Sequence, residues 1–133
     1  MHPNGRFVYL TNRAGVTATA GQEQFEGRPV FNSNDSSIAV YAIDQQTGEP
    51  TLIETAYAEG AHTRTFSFDA SGRILVAGSL VPIAVRQGDK VNVIPAALSV
   101  FRVGDNGKLT FVRKYDIDTG NFSQWWSGMV SMA

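Results

Sequence analysis

Two segments of the chain, sixty residues apart, carry nearly the same pattern of residues. Residues 37–54 read SIAVYAIDQQTGEPTLIE and residues 97–114 read ALSVFRVGDNGKLTFVRK, so aliphatic and aromatic residues recur at matching positions. A second pair, NGRFVYL at residues 4–10 and SGRILVA at residues 71–77, recurs at an offset of 67. Because the two pairs come in the same order, we expect one structural unit that is repeated almost twice.

The repeated segments are typical of β-strands. They are rich in β-branched and aromatic residues, and Gly, Asn, Asp or Pro bounds each of them. The connecting sequences HPNG, DASG, QTGE and DNGK supply Gly or Asn where a tight turn needs a positive φ. Helical spacing is almost absent. The sequence therefore predicts an all-β fold with strands RFVYLTN, SIAVYAI, TLIETAY, TRTFSFD, RILVAGS, ALSVFRV, LTFVRKY and QWWSGMV.

The two faces of the strands indicate how these sheets pack. SIAVYAI and RFVYL are apolar on both faces, whereas a sheet with one wet face would alternate between apolar and polar residues. LTFVRKY carries Arg113 and Lys114, which suits an outer edge strand protected by charge. A sheet covered on both faces, with a charged outer strand, is typical of a β-propeller blade built as a four-stranded antiparallel meander.

The order of the strands predicts about two such blades in a single partial propeller domain, residues 1–133. Residues 1–58 form a first blade that lacks its innermost strand, and residues 62–118 form a complete second blade. Residues 121–133 form an innermost strand without a blade of its own. Two long connections, residues 14–36 and 80–96, show no obvious structure, and we expect them to be functional or mobile.

Four short motifs in this order resemble the lactonase family of seven-bladed β-propellers. That family includes a bacterial 6-phosphogluconolactonase and 3-carboxy-cis,cis-muconate lactonising enzymes. The resemblance covers most of the chain except its loops, with Thr63 where the family has proline, and implies the C-terminal part of such a ring. The matching residues are Pro3, Gly5 and Arg6 in a turn, Asn12 and Arg13 at a strand end, Asp44, Thr47 and Gly48 in a hairpin, and Arg64 at a strand start.

Composition excludes several classes of function. A net charge of -1 gives no basic surface for nucleic acid. No apolar run reaches the roughly 18 residues of a membrane helix, and the N-terminal segment lacks the pattern of a signal peptide. The absence of cysteine excludes disulfides, thiolate catalysis and cysteine-bound metal, and it is compatible with the cytoplasmic location that we expect. Two histidines without acidic partners at ligand spacing predict no metal, and we expect no other cofactor.

The resemblance implies a metal-independent lactonase or lactonising enzyme that acts on a small anionic lactone or its open acid. His62, in EGAHTRTF, lies at the start of a predicted innermost strand and is the best-placed candidate for the general acid or base. Arg64 is a candidate for binding an anionic substrate through its guanidinium, and Glu59 is a candidate for the acid or base partner. Asn12 and Arg13, at the equivalent position of the first blade, could also bind substrate. The alternative is that these side chains only satisfy loop carbonyls and neighbouring blades.

Two non-enzymatic hypotheses stay open. The chain could self-assemble, with FSQWWSGMV of one copy completing the first blade of the next, in a homo-oligomer of three or four chains. It could also be a binding module without activity. Open blade faces and an open sheet edge favour association in either case. We expect a structural role for three further residues. Trp125 and Trp126 should lie in a core rather than stack on a sugar, and His2 should lie on the surface.

Overall fold

The computed structural model describes residues 1–13 and 23–132 of the chain. This part of the chain is all-β and contains no helix, as predicted. Its strands are β1 (Phe7–Asn12), β2 (Gln24–Phe25), β3 (Arg28–Phe31), β4 (Ser37–Ile43), β5 (Pro50–Tyr57), β6 (Thr63–Phe68), β7 (Ile74–Ser79), β8 (Ile83–Gln87), β9 (Lys90–Ile94), β10 (Ala96–Val103) and β11 (Leu109–Ile117).

Two antiparallel sheets contain the repeated segments. One has the strand order β1-β4-β5, and the other has the order β11-β10-β7-β6, which places the charged strand β11 at an edge. The hairpins β4–β5 and β10–β11 share an irregularity, because the register shifts between Val40 and Tyr41 in one and between Val100 and Phe101 in the other. These positions are again sixty residues apart, so the repeat in sequence is a repeat in backbone geometry.

The main core lies between these two sheets. Phe7 and Tyr9 on β1 pack with Ile38, Leu75 and Phe101, all of which are buried. The Tyr9 hydroxyl also donates a hydrogen bond of 2.5 Å to the backbone carbonyl of Gly107, in the turn between β10 and β11. The two sheets are therefore joined by apolar packing and by a buried hydrogen bond.

His2 is part of the same junction, and its expected surface position is wrong. Its Nε2 lies 2.9 Å from the carbonyl oxygen of Gly72, and its ring meets that of Phe68 edge-on at 5.2 Å between centroids. The imidazole lies between the N-terminal turn and the β6–β7 turn, where one ring nitrogen can hydrogen-bond to Gly72 while the ring contacts Phe68.

The two long connections are not without structure. Strands from both connections form a small sheet of order β2-β3-β8-β9. Strands β2 and β3 come from the described part of the first connection, β8 and β9 come from the second, and β3 and β8 pair in parallel. Residues 14–22 lie outside the described part. Ile83 and Val85 on β8 bury themselves against Ala61 in a second small core. This apolar burial stabilises strands in two connections for which we expected no regular structure.

The terminal segment, residues 121–132, has no strand assignment, and its predicted role as an innermost strand stays a prediction. It runs beside β6, where the backbone N–H groups of Ser127 and Met129 donate to the hydroxyls of Thr65 and Ser67 at 3.3 and 3.1 Å. The Gln124 N–H also donates to the Leu80 carbonyl at 2.8 Å, but the described residues of the segment form no continuous backbone ladder with a neighbouring strand.

The expected core position of the tryptophan pair is wrong. Trp125 is 51% exposed and Trp126 is 83% exposed, although hydrogen bonds join the segment that carries them to β6 and to the carbonyls of Ser79 and Leu80.

Candidate functional site

The turn between β5 and β6 presents the candidate base. Glu59 and His62 both adopt positive φ, 57° and 55°, which non-glycine residues rarely do. Between them, Gly60 lies so close to Ser79 that a Cβ there would collide with the Ser79 hydroxyl oxygen. The turn is thus pressed against β7, and this packing accounts for a strained backbone that fixes the direction of His62.

Arg13 reaches His62 from the end of β1. The Arg13 Nη1 atom lies 3.4 Å from the Nε2 atom of His62. A guanidinium can only donate, so His62 accepts at Nε2 and carries its hydrogen on Nδ1. That Nδ1 atom is buried and finds no hydrogen-bond partner in the described part of the chain.

The surroundings of His62 keep its imidazole neutral. Burial lowers the pKa of His62, and the nearby positive charges of Arg13 and Arg64 lower it further. The ordinary pKa of histidine is about 6.5, so at pH 7 this side chain is an unprotonated base. A neutral imidazole flanked by two guanidinium groups can accept a proton while the arginines attract an anion.

Arg64 is close enough to act on His62, but its side chain is also held by the terminal segment. Its guanidinium carbon lies 4.6 Å from the ring centre of Trp125 and 5.8 Å from that of Trp126, as in a cation–π contact. Its Nε is buried and without a hydrogen-bond partner among the described residues. The Arg64 carbonyl accepts from the Thr11 hydroxyl at 3.2 Å, which ties β6 to β1 beside the site.

The two other candidate residues point elsewhere. Asn12 donates from Nδ2 to the Ser37 hydroxyl at 3.2 Å, across the β1–β4 pair. Glu59 acts on Tyr57, whose pKa is raised first by burial and then by the carboxylates of Glu59 and Asp35. The structure therefore brings His62, Arg13 and Arg64 together and leaves Asn12 and Glu59 outside that group.

A pocket of about 280 Å³ opens beside His62 and contains residues that the sequence reasoning missed. Phe31 on β3 meets the His62 ring edge-on, with 5.9 Å between centroids. The apolar runs RPVF and VPIAV in the two long connections were the available signal. The lining residues are Gly27, Arg28, Pro29, Phe31, His62, Val81, Pro82 and Ile83.

A larger open groove of about 610 Å³ lies around Arg73, Arg102 and Asp105, at the end of the β11-β10-β7-β6 sheet that is opposite His62. It contains no histidine, and we place the candidate chemistry at His62 despite its smaller pocket. In the described ranges, 1–13 and 23–132, no three His, Asp or Glu side chains cluster closely enough to hold a metal ion. The same ranges contain no helix of the length and apolarity needed to cross a membrane.

The antiparallel meanders, joined face to face by a shared apolar core, define the class of the protein as a β-propeller. A family model described as "Lactonase, 7-bladed beta-propeller" matches residues 1–94. The match covers most of the chain, and the chain belongs to this family. No curated protein and no solved structure gives a significant match.

Proposed function

We propose that the chain contributes a lactonase-type site that acts on a small anionic lactone or its open acid, and that it does so as part of an oligomer. The observation that supports this most strongly is the contact between the neutral imidazole of His62 and the guanidinium of Arg13, with Arg64 close by. A base and two cations at one point are the groups that metal-free lactone chemistry needs.

The proposed hydrolysis begins when the substrate anion draws Arg13 away from His62. Charge-assisted arginine–carboxylate bonds are about twice as strong as neutral ones, so this exchange is favourable. His62 Nε2 then takes a proton from water, and the resulting hydroxide oxygen bonds to the lactone carbonyl carbon. Arg13 or Arg64 stabilises the oxyanion. The ring C–O bond breaks, and the leaving alkoxide takes the proton from His62.

The same groups serve lactone formation in reverse, since each step is reversible. His62 would then take the proton of the attacking hydroxyl, and the arginines would hold the acid. The family resemblance extends to enzymes of both kinds, of the 6-phosphogluconolactonase and the carboxymuconate-lactonising type. Both directions need the same base and the same cations.

Turnover of a panel of carboxylate-bearing and phosphorylated lactones tests this proposal. We expect His62→Gln to lower kcat by about 100-fold or more, the range of general-base catalysis. Arg13→Gln should raise KM more than it lowers kcat. Arg102→Gln is the matched control, because it removes an exposed positive charge at the other end of the sheet. Equal loss in Arg13→Gln and Arg102→Gln would contradict the assigned site.

A second candidate function, self-assembly without catalysis, has its own support. Strand β1 pairs only with β4 among the described strands, which leaves its other edge open to an added strand. The terminal segment leaves large apolar side chains exposed, namely those of Phe122, Trp126, Val130 and Met132. We propose that this segment of one copy pairs with β1 of the next.

Three copies would give six blades and four would give eight, whereas the family description names seven. Light scattering after size exclusion measures the number directly, and a mass of three or four chains is the expected result. Deletion of residues 121–133 should reduce that mass to one chain. A particle of unchanged mass after the deletion would rule out strand exchange.

A further inference from the structure

We propose that the pocket beside His62 holds the apolar body of the ligand, and that the ligand is a compact alkyl or aryl lactone, or its acid, with one carboxylate. A phosphorylated or polyhydroxylated sugar acid does not fit this pocket. This inference rests on the proposed function for the choice of a lactone or its acid. It adds the class of substrate, which we infer from pocket residues that lie outside the repeated motifs.

The wall of the pocket is apolar and is built on a packed support. Five of its eight lining residues are apolar: Pro29, Phe31, Val81, Pro82 and Ile83. Phe31 and Val81 also pack on the small core of Ala61, Ile83 and Val85, so the wall is not a chance surface patch. A sugar hydroxyl placed against this wall would lose its hydrogen bonds to water and gain none in return, which would weaken binding.

The charge of the pocket selects an anion. Its ionisable lining residues are Arg28 and His62, and no acidic side chain lines it within the described chain. Arg28 is held by an exposed ion pair with the Glu26 carboxylate at 3.8 Å and by a hydrogen bond of 3.3 Å from its Nη1 to the Glu26 carbonyl. Exposed contacts of this kind contribute little, so a ligand anion can replace them. Arg13 adds a further positive charge at Nε2 of His62.

The size of the pocket limits the ligand. Its volume of about 280 Å³ lies just below the roughly 300–1,000 Å³ of most small-molecule sites. One ring with a carboxylate is therefore the ligand that best combines the size, the apolar wall and the positive charge.

Isothermal titration calorimetry with three probes tests the substrate class on the full chain. Benzoate has an apolar ring and a carboxylate, gluconate has the carboxylate on a polar body, and benzyl alcohol has the ring without charge. We expect benzoate to bind at least tenfold more tightly than either of the others. Gluconate binding as tightly as benzoate would overturn the inference.

Two variants at one position locate the binding. Val81→Asp places a negative charge on the pocket wall and should weaken benzoate binding at least tenfold more than Val81→Asn, which has the same shape without the charge. Arg28→Gln is a surface variant that should weaken benzoate binding several-fold even if Val81→Asp fails to fold. Unchanged benzoate affinity in both Arg28→Gln and folded Val81→Asp would exclude this pocket.

The binding result and the turnover result can fail separately. If benzoate binds with the expected preference and no lactone is turned over, the pocket inference stands and the catalytic proposal fails. If His62-dependent turnover is found but gluconate inhibits it better than benzoate, the catalytic proposal stands and the pocket inference fails.

Discussion

The buried hydroxyl of Tyr9 should contribute measurably to the junction between the two repeated sheets. Tyr9 is only 2% exposed, and its hydroxyl donates to the Gly107 carbonyl at 2.5 Å. Tyr9→Phe keeps the ring and its edge-on contact with Phe68, at 5.1 Å between centroids, but removes the donor. The carbonyl is left unpaired inside the protein, so we expect a loss of about 1–3 kcal/mol in the free energy of unfolding.

Urea unfolding followed by tryptophan fluorescence or circular dichroism measures this loss. The midpoint should fall while the slope stays constant, since the fold and the surface exposed on unfolding do not change. Tyr115→Phe is the matched control, because its side chain is 50% exposed and its loss should stay within about 0.5 kcal/mol. Equal midpoints for the Tyr9→Phe and Tyr115→Phe proteins would refute the reasoning.

The pH dependence of the same equilibrium gives a second readout. Burial, and then the charge of Glu54, raises the pKa of Tyr9 to about 12. The folded state therefore disfavours the ionised form of Tyr9. The contribution of Tyr9 to the free energy of unfolding should be complete below about pH 10, the ordinary tyrosine pKa, and should fall as the pH rises toward 12. Tyr9→Phe should lack this part of the alkaline loss.

Two further predictions concern the turn that Tyr9 contacts and the candidate base. Gly107 has a φ of 81°, and a Cβ there would lie 2.5 Å from the Phe7 ring, whereas Gly48 has a φ of 78° with nothing within 4 Å. Gly107→Ala should therefore lower the free energy of unfolding more than Gly48→Ala, which costs about 1–3 kcal/mol from backbone strain alone. Equal urea midpoints for the two variants would contradict the clash with Phe7. Arg13→Gln should raise the pKa of His62, because it removes a nearby positive charge, while Arg102→Gln should leave that pKa unchanged. NMR titration of the imidazole measures both, and an unchanged titration in Arg13→Gln would show that the guanidinium does not act on His62.

The fold that follows from local repetition could be predicted from the sequence. The echo between SIAVYAI and ALSVFRV placed β4 and β10 correctly, and the turn residues placed the hairpins. Arg113 and Lys114 identified β11 as an edge strand. These signals are local, because strand faces and turns depend on neighbours in the sequence.

The small sheet could not be predicted in the same way. Its central pair joins Val30 to Ala84 in parallel, across more than fifty residues, and no turn motif marks a contact of that range. The segment IAVRQGDKVNVI does contain a hairpin signal, with Gly88 at a φ of 62° in its turn. That signal predicts β8 and β9 but not the strand that they pair with.

The candidate site was predictable in part. His62 and Arg13 were expected at one rim and do lie together. Asn12 differs because it is the last residue of β1 and its side chain donates to the Ser37 hydroxyl across the β1–β4 pair, whereas Arg13 lies beyond the strand. The stacking of Arg64 on Trp125 depends on where the terminal segment runs, which no local pattern specifies.

The pH dependence of kcat/KM for a carboxylate-bearing lactone, followed by acid release, tests the central claim that neutral His62 is the base. Burial and the two arginines lower the pKa of His62, so we predict an acid limb whose midpoint lies below the ordinary histidine pKa of about 6.5. Arg13→Gln should move that limb to higher pH, because the His62 pKa rises. An acid limb that stays in place in Arg13→Gln, or turnover that survives His62→Gln, would contradict the account.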